Sequence, residues 1–264
     1  MIDQGLVASL IVVAVGVWVL ARLMPPTRTD SGDVLDLLSV PVMAGVFGAR
    51  VTAAALDDPS AFSRPGDLLL VRGGMELWAG IVTGVAALGV ILHRRGDDSV
   101  GSSVADLSPY LLWGMAFYEG TCLVRDGCFG PVSALGLTPR GGLSPQFPVG
   151  LLAAACLLGV GVVVRRVAPW DPPLALLFAV GGLGAVRAGA SVWLPRISEG
   201  LTRQHVESLA AVAVALVGTT VRLTQRARSA TTRTRLDATR YSRSRNSRME
   251  GSAQPGSEEN PRCS

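Results

Sequence analysis

RGGMELWAGIVTGVAALGVIL, residues 72–92, places an arginine and a pair of glycines directly before an apolar run of membrane length. The sequence RDGCFG, residues 125–130, stands at the end of another such run. A charged side chain at the edge of a bilayer is costly and therefore usually has a function. Two further arginines, Arg50 and Arg187, lie inside apolar stretches. Four arginines near one face of a membrane protein indicate a site for an anionic headgroup.

The composition is that of a polytopic membrane protein. The chain has 264 residues, of which 17% are charged, and its mean hydropathy of +0.41 is too high for an ordinary soluble domain. All 24 basic residues are arginine. The lack of lysine excludes a seven-helix retinal protein, because that class needs a lysine for its Schiff base.

Hydropathy predicts an all-α fold with about seven transmembrane helices. Proline and charged residues separate them, as at Pro25-Pro26 and at Trp170-Asp171-Pro172-Pro173. The first span has neither a basic leader nor a cleavage site, so we interpret it as retained. The predicted spans cover residues 5–23, 34–56, 75–92, 104–124, 147–164, 173–193 and 205–222.

Arginines at the predicted span ends indicate the orientation of the chain. Basic clusters follow the first, third and fifth spans, at residues 22 and 28, 94 and 95, and 165 and 166. By the positive-inside rule these loops are cytoplasmic, which places the N-terminus outside and the C-terminus in the cytoplasm. Arg50, Glu76, Glu119, Arg187 and Glu207 then fall in the outer halves of their spans, so the predicted site faces the outer leaflet.

We predict two domains, a seven-span membrane domain at residues 1–225 and a tail at residues 226–264. The first holds 15 arginines and 16 acidic residues, whereas the tail holds 9 arginines and 4 acidic residues. The stretch from Arg226 to Arg248 has no apolar stripe, which predicts a disordered cytoplasmic tail. A sharper interpretation is adhesion to anionic lipid or nucleic acid, although we expect no nucleic-acid partner.

The charged residues of the spans have competing interpretations. An arginine near a span end, such as Arg72 or Arg140, can simply extend to the headgroups. Arg50 and Arg187 have apolar sequence on both sides, which favours a buried ion pair or an anion site. The glutamates available as ion-pair partners are Glu76, Glu119 and Glu207.

Cysteine and histidine are too sparse to indicate a metal site. The four cysteines form no CxxC pair, and the only histidines are His93 and His205. We therefore predict neither a metal nor a cofactor. Cys122 and Cys128 are interpreted as small apolar helix residues.

Five short elements, in order over residues 1–222, resemble the prolipoprotein diacylglyceryl transferases of bacteria. Those are seven-span inner-membrane enzymes with an outward N-terminus that move diacylglycerol from phosphatidylglycerol to the lipobox cysteine of a prolipoprotein. The resemblance implies a plasma-membrane enzyme with that lipid and a lipobox-containing prolipoprotein as partners. The elements are Gly48-Ala49-Arg50, Gly73-Gly74-Met75-Glu76-Leu77-Trp78-Ala79-Gly80, the set Arg125, Gly127, Phe129 and Gly136, Ser144-Pro145-Gln146, and Leu183-Gly184-Ala185-Val186-Arg187.

The chain departs from the family pattern where the family handles protons. The family's histidine falls on Trp78, and the asparagine of its signature falls on Cys128. The late acidic residue of the signature falls on Ser133, and the tyrosine of the sixth span falls on Leu183. The arginines match while these positions do not, which indicates a divergent member.

The resemblance implies a role for each matched residue. Arg125 and Arg187 would hold the phosphate leaving group, with Arg50 and Arg72 assisting, and the nucleophile is the substrate's cysteine. Glu119 or Glu76 is the candidate general base. The alternative interpretation is that each of these glutamates forms an ion pair with an arginine. Further substrate contacts are expected at Gly73, Gly74, Trp78, Gly80, Gly127, Cys128, Gly136 and Gln146.

Three functions are open at this point. The first is lipoprotein diacylglyceryl transfer. The second is a catalytically impaired relative that binds phospholipid or a lipoprotein partner, which Trp78 favours. The third is an unrelated transporter of an anionic solute, which predicts an internal repeat between the two halves, and no such repeat is visible in the sequence.

Overall fold

Seven α-helices form most of the described chain. The structure, a computed structural model, describes residues 4–27, 34–57, 59–63, 76–125, 128–139, 142–193 and 202–251. Each helix within these residues overlaps one predicted span, which confirms the helical fold. The helices are α1 Gln4–Leu23, α2 Val34–Asp57, α3 Leu77–Arg94, α4 Val100–Gly120, α5 Val149–Val167, α6 Pro172–Trp193 and α7 Arg203–Gly251.

Five helices of the described chain are long and apolar enough to cross a membrane, namely α2, α3, α5, α6 and the Arg203–Ser229 part of α7. Helix α1 adds a shorter apolar stretch, Ala8–Leu23. Helix α4 is less apolar because it carries polar residues such as Ser103, Asp106 and Ser108, all of which are buried. The chain is thus a polytopic membrane protein, while the seven-span count and the direction of its termini stay predictions.

The first compact unit of the chain, Met1–Val217, is built around helix α4. This helix packs against α1, α3, α5 and α6. Its Tyr110 and Trp113 are fully buried and meet edge to face, with ring centroids 5.3 Å apart. Gly161 of α5 leaves room for the indole, since a Cβ at that position would lie 2.3 Å from the Trp113 nitrogen. These contacts give the last turn of α4, which contains Glu119, a defined place beside α5.

Helices α2 and α3 approach each other backbone to backbone. A Cβ at Gly80 would lie 2.9 Å from the Gly45 carbonyl oxygen and 2.9 Å from the Ala49 Cβ. Small residues allow this kind of close helix approach in a membrane. The Glu76 N–H donates to the Ala49 carbonyl across 3.2 Å. The start of α3 is therefore held against the last turns of α2.

A short antiparallel pair of strands lies between α4 and α5, where the sequence analysis predicted no strand. Strand β1 spans Phe129–Leu137 and β2 spans Gln146–Pro148, with two irregularities in their register. Gly136 lies directly against the partner strand, because a Cβ there would be 2.5 Å from the Gln146 carbonyl oxygen. The apolar residues of β1 are too few to form a span, and Pro131 disfavours a helix there.

Apolar side chains cover the outside of the helices. Met43, Phe47 and Val82 are 64–69% exposed. Contiguous exposed apolar surface of this kind is unusual in a soluble monomer and suits contact with lipid. It therefore agrees with the length and composition of α2 and α3.

The second compact unit, Gly218–Ser264, contains the C-terminal part of α7. The sequence analysis predicted a disordered tail from residue 226, whereas residues 226–251 are helical. Alanine and arginine are good helix formers, so a stretch without an apolar stripe can still adopt a helix. Residues 252–264 lie outside the described chain.

Candidate functional site

An ion pair between α4 and α6 forms the centre of the candidate site. Glu119 lies in the last turn of α4 and is 7% exposed. The Nη1 group of Arg187 donates to its Oε1. The Arg187 side chain is 24% exposed, so it is covered for the most part and still accessible in part. A partly buried, paired arginine presents its remaining N–H donors in a fixed direction.

A cavity of about 40 Å³ lies beside this ion pair. Residues of α4, α5, α6 and α7 meet around it, together with Cys128. The volume suits a small polar group or one to two water molecules. Its polar lining consists of Glu119, Arg187, Ser191, Gln204 and Ser208.

A disulfide bond between Cys122 and Cys128 bounds one side of the cavity, with 5.8 Å between the Cα atoms. The interpretation of these cysteines as small apolar helix residues was wrong. Helix α4 gives way to a 3-10 helix, Thr121–Arg125, which turns the chain so that the two thiols can meet. Cys128 has a φ of +60°, which a non-glycine residue rarely adopts. Its sulfur lies 4.0 Å from Oε2 of Glu119.

Gly150 lets the start of α5 approach both the disulfide and α4. A Cβ at this position would lie 2.8 Å from the Glu119 carbonyl oxygen and 3.1 Å from the Cys128 Cβ. The Gly150 N–H donates to the Cys128 carbonyl across 3.2 Å. The disulfide segment is therefore fixed to α5 as well as to α4.

A second ion pair links α7 to α2 and α3. The Nη2 group of Arg203 donates to Oε1 of Glu76 and, across 3.1 Å, to Oδ1 of Asp57. Glu76 is 5% exposed, and its Oε2 has no hydrogen-bond partner among the described residues. Arg203 thus connects the end of α2 with the start of α3.

Two further hydrogen bonds hold the first turns of α7 against the neighbouring helices. The Ser191 Oγ of α6 lies 2.5 Å from the Nδ1 of His205. The indole N–H of Trp78 in α3 donates to the Ser208 Oγ across 3.3 Å. Ser208 is 2% exposed and lines the same cavity as Ser191.

The structure brings some of the predicted site residues together. Glu119, Arg187 and Cys128 meet at the cavity. Trp78 reaches it through Ser208, and Glu76 lies in the neighbouring ion pair. The two glutamates that were candidates for the general base are thus both bound to arginine, which is the other role that the sequence left open.

Other predicted residues have different places. Gly80 was predicted to contact substrate, but it lies in the contact between α2 and α3. Gly136 and Gln146 contact each other in the strand pair. Arg50 follows Ala49, whose carbonyl accepts the Glu76 N–H. The predicted residues outside the described chain are Arg72, Gly73, Gly74, Gly127 and the side chain of Arg125.

Sequence reasoning missed the contribution of α7. Arg203 was not among the predicted site residues, and His205 was noted only as one of two histidines. Their partners Glu76 and Ser191 lie on other helices, and the Arg203–Glu76 pair spans 127 residues of sequence. The one available signal was the position of both residues directly before an apolar run.

The chain matches a known protein family. The family model for prolipoprotein diacylglyceryl transferase matches residues 5–222, a range that runs from the first turn of α1 into α7. A search of curated proteins found no match. Members of the family are transferases that modify prolipoproteins with a lipid donor. Because the match covers most of its length, the chain belongs to the prolipoprotein diacylglyceryl transferase family.

Proposed function

We propose that this protein transfers the diacylglyceryl group of phosphatidylglycerol to the cysteine of a lipobox-containing prolipoprotein. The family implies a transferase in general terms. The identity of the donor lipid and the catalytic activity of this chain belong to the proposal. The observation that carries it is the Arg187–Glu119 pair beside a polar cavity. A guanidinium held in this way can bind a phosphate oxygen through its remaining N–H groups.

The transfer replaces one bond with another at the glyceryl carbon that carries the phosphate. The cysteine sulfur forms a C–S bond, the C–O bond to the phosphate breaks, and glycerol phosphate leaves with the electron pair. Arg187 would stabilise the negative charge that develops on the leaving oxygen. Arg125, with Arg50 and Arg72, would assist as the family resemblance implies.

The size of the cavity restricts what can enter it. At about 40 Å³ it suits a phosphate group or water rather than a whole lipid. The two acyl chains would therefore remain in the bilayer, next to the exposed apolar faces of the helices. This arrangement suits a donor whose reacting atoms lie at the membrane surface.

We place the protein in the bacterial plasma membrane with the site on the outer side. Two observations support this orientation. Arginines lie in the last turns of α1, α3 and α5. The site lies at the other end of α3 and α5, where these two helices begin. The disulfide Cys122–Cys128 lies at the site, and disulfides persist in oxidising compartments.

One observation favours a second function, a divergent relative that binds phospholipid or a lipoprotein without turnover. Trp78 occupies the position of the family's histidine, and its indole N–H is bound to Ser208. An indole nitrogen donates a hydrogen bond and cannot accept a proton as imidazole does. Such a relative would keep the arginines and lose the transfer.

A direct assay separates these functions. Purified protein in detergent is incubated with phosphatidylglycerol and a lipobox peptide, and release of glycerol phosphate is followed together with the mass of the peptide. We expect release that is lost in Arg187→Ala and in Arg125→Ala and retained in Arg22→Ala. Arg22 is a suitable control because it lies at the end of α1 against Trp18.

Two other outcomes would each have a clear meaning. Arginine-dependent binding of phosphatidylglycerol without release of glycerol phosphate would contradict the transferase and support the impaired relative. If the protein neither releases glycerol phosphate nor binds phosphatidylglycerol, that result would contradict a headgroup site at Arg187. A peptide with serine in place of the lipobox cysteine should give no product in any case.

A further inference from the structure

Formation of the thioether requires a group that takes up a proton. The thiol of the incoming peptide loses its hydrogen as the sulfur attacks, and a positioned side chain accelerates this transfer. Glu119 is bound to Arg187 and Glu76 is bound to Arg203. Trp78 cannot serve, since its ring nitrogen is only a donor. Both carboxylates already serve as the charged partners of arginines, so a neutral group near the cavity is better suited to take up the proton.

His205 and Ser191 form a pair that meets this requirement. The Ser191 Oγ lies 2.5 Å from the His205 Nδ1 and 2.8 Å from the Ala188 carbonyl oxygen. Its single hydroxyl hydrogen can donate to Nδ1 in the tautomer that carries no hydrogen on that nitrogen, and to Ala188 in the other. Ser191 lines the cavity and follows Arg187 by one helical turn, so both project from the same face of α6. His205 is half-buried in the first turn of α7. The serine thus connects the imidazole with the place where the phosphate would bind.

We propose that His205, acting through Ser191, takes up the proton of the incoming thiol. This inference rests on the proposed transferase function. The thiol proton passes to the Ser191 oxygen while the serine's own proton passes to Nδ1 of His205. The sulfur then forms the C–S bond, and glycerol phosphate leaves beside Arg187. The imidazolium returns its proton to solvent before the next turnover.

The arginines near His205 and Ser191 are each paired with a carboxylate. Across the cavity, Arg187 of α6 is matched by Glu119 of α4. Arg203 lies two residues before His205 and is matched by Glu76 of α3 and Asp57 of α2. Glu207 is the remaining charged residue on this turn of α7. The two arginines that the described chain places near this pair, Arg187 and Arg203, are therefore both ion-paired.

The test compares the transfer rate of His205→Gln with that of the unaltered protein at two pH values. The acceptor thiol ionises near pH 8.5, so a base is needed below that pH and not well above it. We expect His205→Gln to lower the rate about 100-fold at pH 6.5 and only a few-fold at pH 9.5. Ser191→Ala should show the same dependence, whereas His93→Gln at the far end of α3 should match the unaltered protein at both pH values.

The same samples are tested for thermal unfolding and for binding of phosphatidylglycerol, which shows whether each variant is folded. A loss of equal size at both pH values in folded His205→Gln and Ser191→Ala would assign the pair a structural role and overturn the inference. Unchanged rates in both variants would also overturn the inference, without contradicting the proposed transferase function. Absence of turnover in the unaltered protein would contradict the proposed function, and this inference with it.

Discussion

Arg187 owes its direction to Glu119, a residue on another helix. The carboxylate occupies one N–H group of the guanidinium, and a guanidinium has five such donors in a rigid plane. The donors that do not contact Glu119 remain fixed in the same plane. This is the arrangement that a phosphate with several acceptor oxygens requires, because two parallel hydrogen bonds can form at once.

The shape of Arg187 should thus matter more than its charge. We expect Arg187→Lys to lower kcat/KM about 100-fold, because lysine keeps the charge but loses the planar set of donors. Glu119→Gln should have a smaller effect, about tenfold, since the amide oxygen can still accept the Arg187 N–H. The measurement is the rate of glycerol phosphate release as a function of lipid concentration. Full activity in Arg187→Lys would show that the site needs only a positive charge.

The residues of the site were only partly visible in the sequence. Arg187 and Glu119 stood out because a charge inside an apolar run is conspicuous, and their pairing was one of the open interpretations. Arg203 and His205 did not stand out, since both lie at a span end where polar residues are common. Their importance arises from the packing of α7 against α3 and α6, and no local pattern reports which helices are neighbours.

The contact between α2 and α3 depends on the absence of side chains. Gly80 and Gly45 bring the two backbones together, and this contact places Glu76 at the end of α2. Backbone atoms at that distance cannot move aside as a flexible side chain can. A single methyl group therefore tests how closely the helices must approach.

We expect Gly80→Ala to destabilise the protein by about 1–3 kcal/mol. The added Cβ would lie 2.9 Å from both the Gly45 carbonyl oxygen and the Ala49 Cβ, which forces the helices apart. Gly89→Ala is the matched control in the same helix, because the nearest atom to its Cβ would be 3.9 Å away, an ordinary contact. Thermal unfolding in detergent measures both variants. Equal stability of the two would contradict a close backbone contact at Gly80.

Long elements were easier to predict than short ones. Each of the seven apolar runs corresponds to a helix, because a run of that length has to form its hydrogen bonds internally in lipid. The strand pair escaped prediction because its apolar residues are too few to give a hydropathy signal. The disulfide escaped because Cys122 and Cys128 approach only after the 3-10 helix turns the chain at the end of α4.

The distribution of charge along the chain and the location of the disulfide point to the same orientation. Arginine pairs lie at the ends of α3 and α5, while the site residues lie at the beginning of these helices and at the ends of α2, α4 and α6. The two groups of charges therefore belong to opposite ends of the helices. The positive-inside rule assigns the arginine pairs to the cytoplasm, and the disulfide suits the oxidising side of the membrane.

Labelling in intact cells tests this orientation. In protein with Cys156→Ser and Cys263→Ser, a new cysteine is placed either at Leu143, between the two strands, or at Asp98, between α3 and α4. Both positions are exposed, and the disulfide-bonded pair does not react with maleimides. We expect a membrane-impermeant maleimide to label Leu143→Cys in intact cells and Asp98→Cys only after permeabilisation, which also serves as the control for reactivity. The reverse pattern would place the ion pairs on the cytoplasmic side, where a secreted prolipoprotein held at the outer surface could not reach them.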